Sequence, residues 1–185
     1  MDAETLRWTL ITVVVGALFM WGLTSLLFRV SGTWERVLTD EEIAKGARRE
    51  RVSLGQMGPL VMGRRDVPGG YQELSGFLVG RTLYLKRRDH GLAALRAQGF
   101  PEPVAKLLDG QVMAKLELRL TKGGTHLEGK FVPQKVEFTH QPPRVTTSYF
   151  LAPQPRAYRR VIPVPAEEPV EVWGEELTPE QAEAG

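Results

Sequence analysis

Asp89 and His90 stand side by side in RTLYLKRRDH, the one point in the chain where a carboxylate adjoins an imidazole. An aspartate that holds an imidazole in one tautomer can prepare it as a general base. Direct adjacency argues against that use here. An Asp that ends a strand and opens a helical pattern is better explained as the N-cap of that helix. The other histidines are no better placed. His126 lies beside a tight turn, and His140 precedes Gln-Pro-Pro. The spacings of zinc sites, nucleophile elbows and phosphate-binding loops are all absent from the sequence. Without cysteine there is no thiolate chemistry and no disulfide. Thus no catalytic or metal-binding residue is assigned, no cofactor is expected, and the chain reads as a non-enzyme.

Cations offer a different chemistry. Lys86, Arg87 and Arg88 end one predicted strand, and Arg64 and Arg65 end another. If those strands are neighbours, the five would converge on an anionic ligand, a lipid headgroup, an acidic partner or the chain's own acidic tail. A solvated strand end is the plainer reading. Nucleic acid is disfavoured, because no repeated aromatics accompany the basic residues as a stacking platform would need.

The elements that position these groups are mostly strands. From Glu50 onward, alternating runs are punctuated by Gly-Pro, Pro-Gly-Gly, Gly-Gly and Pro-Pro. The pattern predicts strands at 51–56, 60–65, 71–79, 82–86, 111–121, 125–132, 135–140, 145–151 and 158–162. One helical insertion lies between Asp89 and Gly110, in which Gly99 ends a first turn or two and Pro101 to Pro103 open a second helix. Gly76 and Gly80 are read inside strands, marking a bend or bulge. The clearest element is QVMAKLELRLTKGGTHLEGKFV. A turn at Gly123-Gly124 pairs Leu120 with Leu127 and Leu116 with Phe131 on one face. On the other it pairs Arg119 with Glu128 and Glu117 with Lys130. Many short antiparallel strands with one helix give a mainly β (α+β) class, a small sandwich or partly closed barrel. Gly32-Thr33-Trp34 resembles the Gly-x-Trp that begins lipocalin barrels. The resemblance covers three residues, and a capped acidic helix pattern follows instead of a strand, so the family is not assigned.

Ahead of the β region runs RWTLITVVVGALFMWGLTSLLFR. Twenty-one uncharged residues, Trp8 to Phe28, separate Arg7 from Arg29. As a helix they would span about 31 Å, the thickness of a bilayer's hydrocarbon core. Residues 1–30 are therefore read as a single transmembrane anchor with Arg7, Trp8 and Arg29 at the interfaces. Acidic residues at the start and the length of the run argue against a cleaved signal peptide. Basic residues after the span, Arg29, Arg36, Lys45, Arg48 and Arg49, favour a cytoplasmic body, with the periplasm as the alternative. Residues 31–49 read as a linker with a short helix from Asp40, and 50–163 as the β domain. Residues 164–185 read as an acidic disordered tail, in which Val172, Trp173 and Leu177 are docking candidates.

Charge divides along the same lines. From Lys45 to Arg160, 21 Lys and Arg face 9 Asp and Glu, whereas the last twenty residues hold 7 Glu and no base. The functional expectation is a single-pass accessory or scaffold protein of a bacterial envelope assembly, in the inner membrane, whose β domain binds a protein partner or a second copy. The alternative is a tethered barrel that holds a lipid or glycan.

Overall fold

The computed structural model describes residues 2–47 and 49–162; within the first helix, the side chains of residues 20, 21 and 24–26 lie outside that description. The chain runs α1 (Ala3–Leu27), β1 (Gly32–Val37), α2 (Asp40–Ala44), β2 (Arg51–Met57), β3 (Leu60–Val67), β4 (Gly70–Val79) and β5 (Thr82–His90). It continues with α3 (Leu92–Ala97), α4 (Glu102–Leu108), β6 (Val112–Thr121), β7 (His126–His140), β8 (Pro143–Phe150) and β9 (Gln154–Arg160).

β1 to β7 form an antiparallel meander, each strand beside the next; short turns join most of them, while α2 lies between β1 and β2 and the two helices α3 and α4 between β5 and β6. Closure comes from β9, which pairs with β7 through Leu127 and Tyr158 and with β1 through Arg36 and Tyr158. The result is a closed antiparallel barrel of eight strands, rather than a sandwich or an open barrel. Closure removes the unpaired edges a sandwich would leave. β8 pairs with the outer half of β7 only, so the two form a ribbon that runs past the barrel.

Inward positions alternate along every strand. Leu78, Leu83, Leu118, Leu127, Val61 and Trp34 are among the fully buried side chains of one core cluster. Each such burial contributes roughly 1.5–3 kcal/mol. The predicted hairpin register is the observed one: Leu120 faces Leu127, Leu116 faces Phe131, Arg119 faces Glu128 and Glu117 faces Lys130. Gly76 lies on the inner face of β4, where a Cβ would come 1.8 Å from the Tyr84 carbonyl oxygen. Its lack of a side chain lets β4 and β5 approach and bend together. Gly80 sits in the β4–β5 turn and not inside a strand.

Two expectations need correction. Residues 32–37, expected in the linker, form the first barrel strand. They pair with β2 and β9, which gives the strand its partners and buries both Trp34, at 0% exposure, and Glu35. The strands expected at 125–132 and 135–140 are one, β7, which passes from its β6 and β9 partners to β8 at Pro133. The helical insertion is two short helices, divided between Gly99 and Pro101 as the sequence predicts. Leu95, Val104 and Leu108 from these helices pack with Phe138 and Val145 of the ribbon in a second small core.

The linker helix survives as α2, with the capping box the spacing predicts. The Glu42 amide donates to the Thr39 hydroxyl at 3.3 Å, and the Thr39 amide donates to the Glu42 carboxylate at 3.1 Å. α1 touches the barrel little and keeps its apolar side chains in the open, with Trp8 63%, Val13 63% and Phe19 67% exposed. Thr9 and Thr12 donate their hydroxyls back to the carbonyls of Thr5 and Trp8, so neither is left bare. Among the described residues no helix is long and apolar enough to cross a membrane. The span expected from sequence, Trp8 to Phe28, draws on positions 20, 21 and 24–26, whose side chains are outside the description.

Candidate interaction surfaces

The barrel has two ends. At the near end α1 enters, and the turns at Gly58-Pro59, Gly80-Arg81 and Lys122–Thr125 lie there. At the far end stand Arg36 and Glu50, the starts of β4 and β6, and the ends of β3 and β5.

The five cations singled out from sequence do not converge. β3 and β5 each pair with β4 and not with each other. Neighbouring residues in a strand point to opposite faces. Arg65 and Arg87 therefore enter the barrel, while Arg64 and Lys86 stay outside. Arg64 bonds Asp66 at 3.0 Å and lies over the Tyr71 ring at 4.0 Å. Arg88 donates to the Gly110 carbonyl at 2.8 Å.

Inside, Arg65 and Arg87 meet two arginines that sequence reasoning missed, Arg36 and Arg156, both about nine-tenths buried. Glu50 contacts Arg36 at 3.2 Å, Arg65 at 3.3 Å and Arg156 at 3.5 Å. Arg36 also pairs with Glu42, whose carboxyl is held below its ordinary pKa by the Thr39 backbone amide and then by Arg36. Asp89 is 2% exposed and takes Arg87 at 2.9 Å and the Gln72 amide at 3.2 Å. Arg156 lies over Phe131 at 4.3 Å. These groups close the far end with a charged plug above the leucine core. The signal was in the strand phase, since Leu83, Leu85, Arg87 and Asp89 share one face.

Asp89 is thus a strand residue turned inward, not an N-cap; Gly91 occupies that position, and its amide donates to Asp109 at 2.9 Å. Turned inward, Asp89 cannot orient the ring of His90. That ring stacks on Tyr71 at 4.6 Å, with Nε2 3.4 Å from Glu73 and Nδ1 3.9 Å from Asp109. His126 begins β7 at the near end beside Thr125 at 3.0 Å, and His140 stands on the ribbon against Phe138. The three histidines therefore occupy separate regions. Among the described residues no group of three His, Asp or Glu could hold a metal ion.

The space that remains is mostly outside. The barrel interior retains a cavity of about 30 Å³, lined by residues such as Leu54, Leu85, Leu116 and Phe131. That is room for about one water. On the outer wall a concavity of about 830 Å³ crosses β3 to β7. Leu60, Phe77 and Tyr84 lie in one cross-strand row, with Met62 on the next. Met62 is 64%, Leu60 51% and Phe77 45% exposed. Lys86, Lys115 and Lys130 border the apolar patch, with Glu117 among them.

No known family matches this chain. No characterised protein and no solved structure matches it either.

A third surface lies where α1 meets the barrel. Gln56 fixes this junction: its side chain accepts from the Val30 amide at 2.8 Å and donates to the carbonyls of Phe28 at 3.2 Å and Gly58 at 2.9 Å. Trp34 donates its indole N–H to the Val30 carbonyl at 2.8 Å, and Arg160 lies over its ring at 4.7 Å. Arg29 thereby stands at the near end, while Arg7 and Trp8 lie far along α1. Val172, Trp173 and Leu177, like the whole of 164–185, lie outside the described residues.

Proposed function

We propose that the chain is a single-pass, membrane-anchored accessory or scaffold protein of a bacterial envelope assembly, non-catalytic, whose barrel binds a protein partner through its outer wall. One observation carries this reading: the unfilled apolar space is on the outside of the barrel, about 830 Å³ against about 30 Å³ within. A barrel that stores a lipid or glycan needs the reverse. An exposed patch of Met57, Leu60, Met62, Phe77 and Tyr84 is costly in water and gains from cover. Its lysine border fits a partner, or a second copy, that presents an apolar centre with carboxylates around it.

The anchor is proposed from the sequence span together with the exposed apolar flank of α1. Twenty-five helical residues reach about 37 Å, and an isolated apolar helix in water has no stabilising surroundings. Lipid would supply them. The charge bias beyond the span favours the inner membrane with the barrel in the cytoplasm.

Because the chain lacks cysteine, single cysteines can carry a photocrosslinker in native membranes. Phe77→Cys should give one discrete heavier adduct, and Leu60→Asp in the same chain should abolish it. Thr147→Cys on the ribbon should give none. Equal adducts at both positions, or none at Phe77→Cys, would remove the partner surface. Alkaline extraction of the membranes tests the anchor separately.

A further inference from the structure

We infer that the junction between α1 and the barrel is a binding site for the phosphate of an anionic lipid headgroup. This rests on the reading of α1 as a bilayer anchor and adds to it which lipids the protein selects. The site is an open pocket of about 410 Å³ with ten lining residues, among them Arg29, Arg81, Lys122, Arg160 and Thr121. Four of those residues are cations and none is an acid. Among the described residues neither Arg29 nor Arg81 has a carboxylate within ion-pair distance. Lys122 reaches Glu128 at 3.6 Å, an exposed pair on the outer side.

Two buried polar atoms point the same way. The Arg160 Nε and the Thr121 hydroxyl are shielded from solvent and have no hydrogen-bond partner. Burial, with the Arg29 charge beside it, holds the Arg160 guanidinium below its ordinary pKa. The other end of the Arg160 fork is committed to the Arg29 carbonyl, and its plane to Trp34. A phosphodiester oxygen would meet an unused guanidinium N–H, a hydroxyl and three further cations together.

Position selects the source of that phosphate. Leu27, Phe28 and Leu120 line the same pocket, and Arg81 lies over the Phe28 ring at 5.1 Å. The pocket is continuous with the apolar flank of α1, at the level where a helix leaving a bilayer passes the headgroups. Free phosphate would use the cations but gain nothing from the apolar side. A lipid headgroup with its first acyl carbons uses both. Gln56 holds the Phe28–Val30 segment to the barrel, so the site does not depend on a loose linker.

The test uses the full chain in a mild non-ionic detergent, titrated with phosphatidylglycerol, phosphatidylcholine and inorganic phosphate, and read as bound adducts by native mass spectrometry. Phosphatidylglycerol adducts should exceed phosphatidylcholine adducts and resist inorganic phosphate. Arg81→Gln with Lys122→Gln should weaken them by roughly fivefold for each charge removed. Arg64→Gln with Lys86→Gln, the same charge change on the outer wall, should leave them intact. Equal binding of the two lipids, an equal loss in the outer-wall variant, or displacement by inorganic phosphate would each overturn the site. Vesicle flotation is read in parallel. A chain that fails to float but keeps its lipid preference loses the anchor and keeps the site; one that floats without preference does the reverse.

Discussion

Arg159 donates two hydrogen bonds to one carboxylate oxygen of Glu35, at 3.1 and 2.7 Å, across 124 positions of sequence. Arg51 reaches the other oxygen at 3.3 Å. The three residues lie opposite one another on β2, β1 and β9, so the clasp spans the seam at which the barrel closes. Arg159 first, and then Arg51, hold the Glu35 carboxyl below its ordinary value of 4.5. A carboxyl with a lowered folded pKa contributes stability that is complete above the unfolded value and is lost as pH falls through the folded one. Thermal unfolding of the full chain should therefore show a melting temperature that falls on acidification below about pH 4.5. Glu35→Gln should lower the melting temperature at neutral pH and flatten that part of the acid limb. An unchanged acid limb in the variant would show that the clasp does not couple closure to pH.

Glu50 is the carboxylate shared by Arg36, Arg65 and Arg156. Removing one partner from a buried charge network costs about 3–5 kcal/mol, because the remaining charges stay desolvated. Glu50 keeps about a quarter of its side chain in solvent, which places Glu50→Gln near the lower end of that range. Denaturant unfolding monitored by circular dichroism should show the loss. Glu73→Gln, a partly buried carboxylate on the outer face of the same end that takes no part in the arginine plug, should stay within about 0.5 kcal/mol of the parent. Comparable effects for the two would mean that the plug does not hold the far end closed.

The β6–β7 hairpin was legible because two independent signals agreed. Apolar alternation and charge pairing both fixed the same register around Gly123-Gly124, and a slip of one residue would have broken both. β1 was not legible. Its six residues, Gly32–Val37, hold one apolar pair and two charges, and Glu35 and Arg36 read as linker until strands far away in sequence give them partners. The arginine plug was hidden for a related reason. Basic residues at two strand ends were read as converging on an anion or else as solvated, whereas the twofold alternation sends Arg65 and Arg87 inward and Arg64 and Lys86 outward. Pro133 falls between the strands read at 125–132 and 135–140. In the barrel it sits where β7 changes partners, and its carbonyl accepts from the Leu151 amide at 2.8 Å. The wall concavity had no local sequence signal, since it is assembled from side chains of five neighbouring strands, β3 to β7, of a barrel whose closure is made by β9.

Gly76 tests whether close strand approach is required for that closure. A methyl group at this position would be driven 1.8 Å from the Tyr84 carbonyl oxygen, into backbone that cannot swing aside. Overpacking of this kind costs about 1–3 kcal/mol, occasionally more. Gly76→Ala should reduce stability by at least that amount in denaturant unfolding. Gly55→Ala is the control on β2, where the nearest atom would be 3.8 Å away. If Gly76→Ala melts with the parent, the strands have room to move apart, and the bend is set elsewhere.

The outer wall makes the opposite prediction, a loss of binding without loss of fold. Met62 and Phe77 are exposed, and neither belongs to the core cluster. Met62→Asp with Phe77→Asp should therefore change unfolding stability by no more than about 0.5 kcal/mol per site. Carboxylates placed in the centre of an apolar contact cannot be solvated once it is covered, so association should fall by on the order of tenfold or more. Lys115→Glu, at the border, should act mainly through encounter, and its effect should shrink as salt is raised. The measurement is crosslinking yield in native membranes alongside denaturant unfolding of the same variants. A double variant that folds, stays in the membrane and crosslinks as the parent does would show that the wall meets nothing, however much apolar surface it exposes.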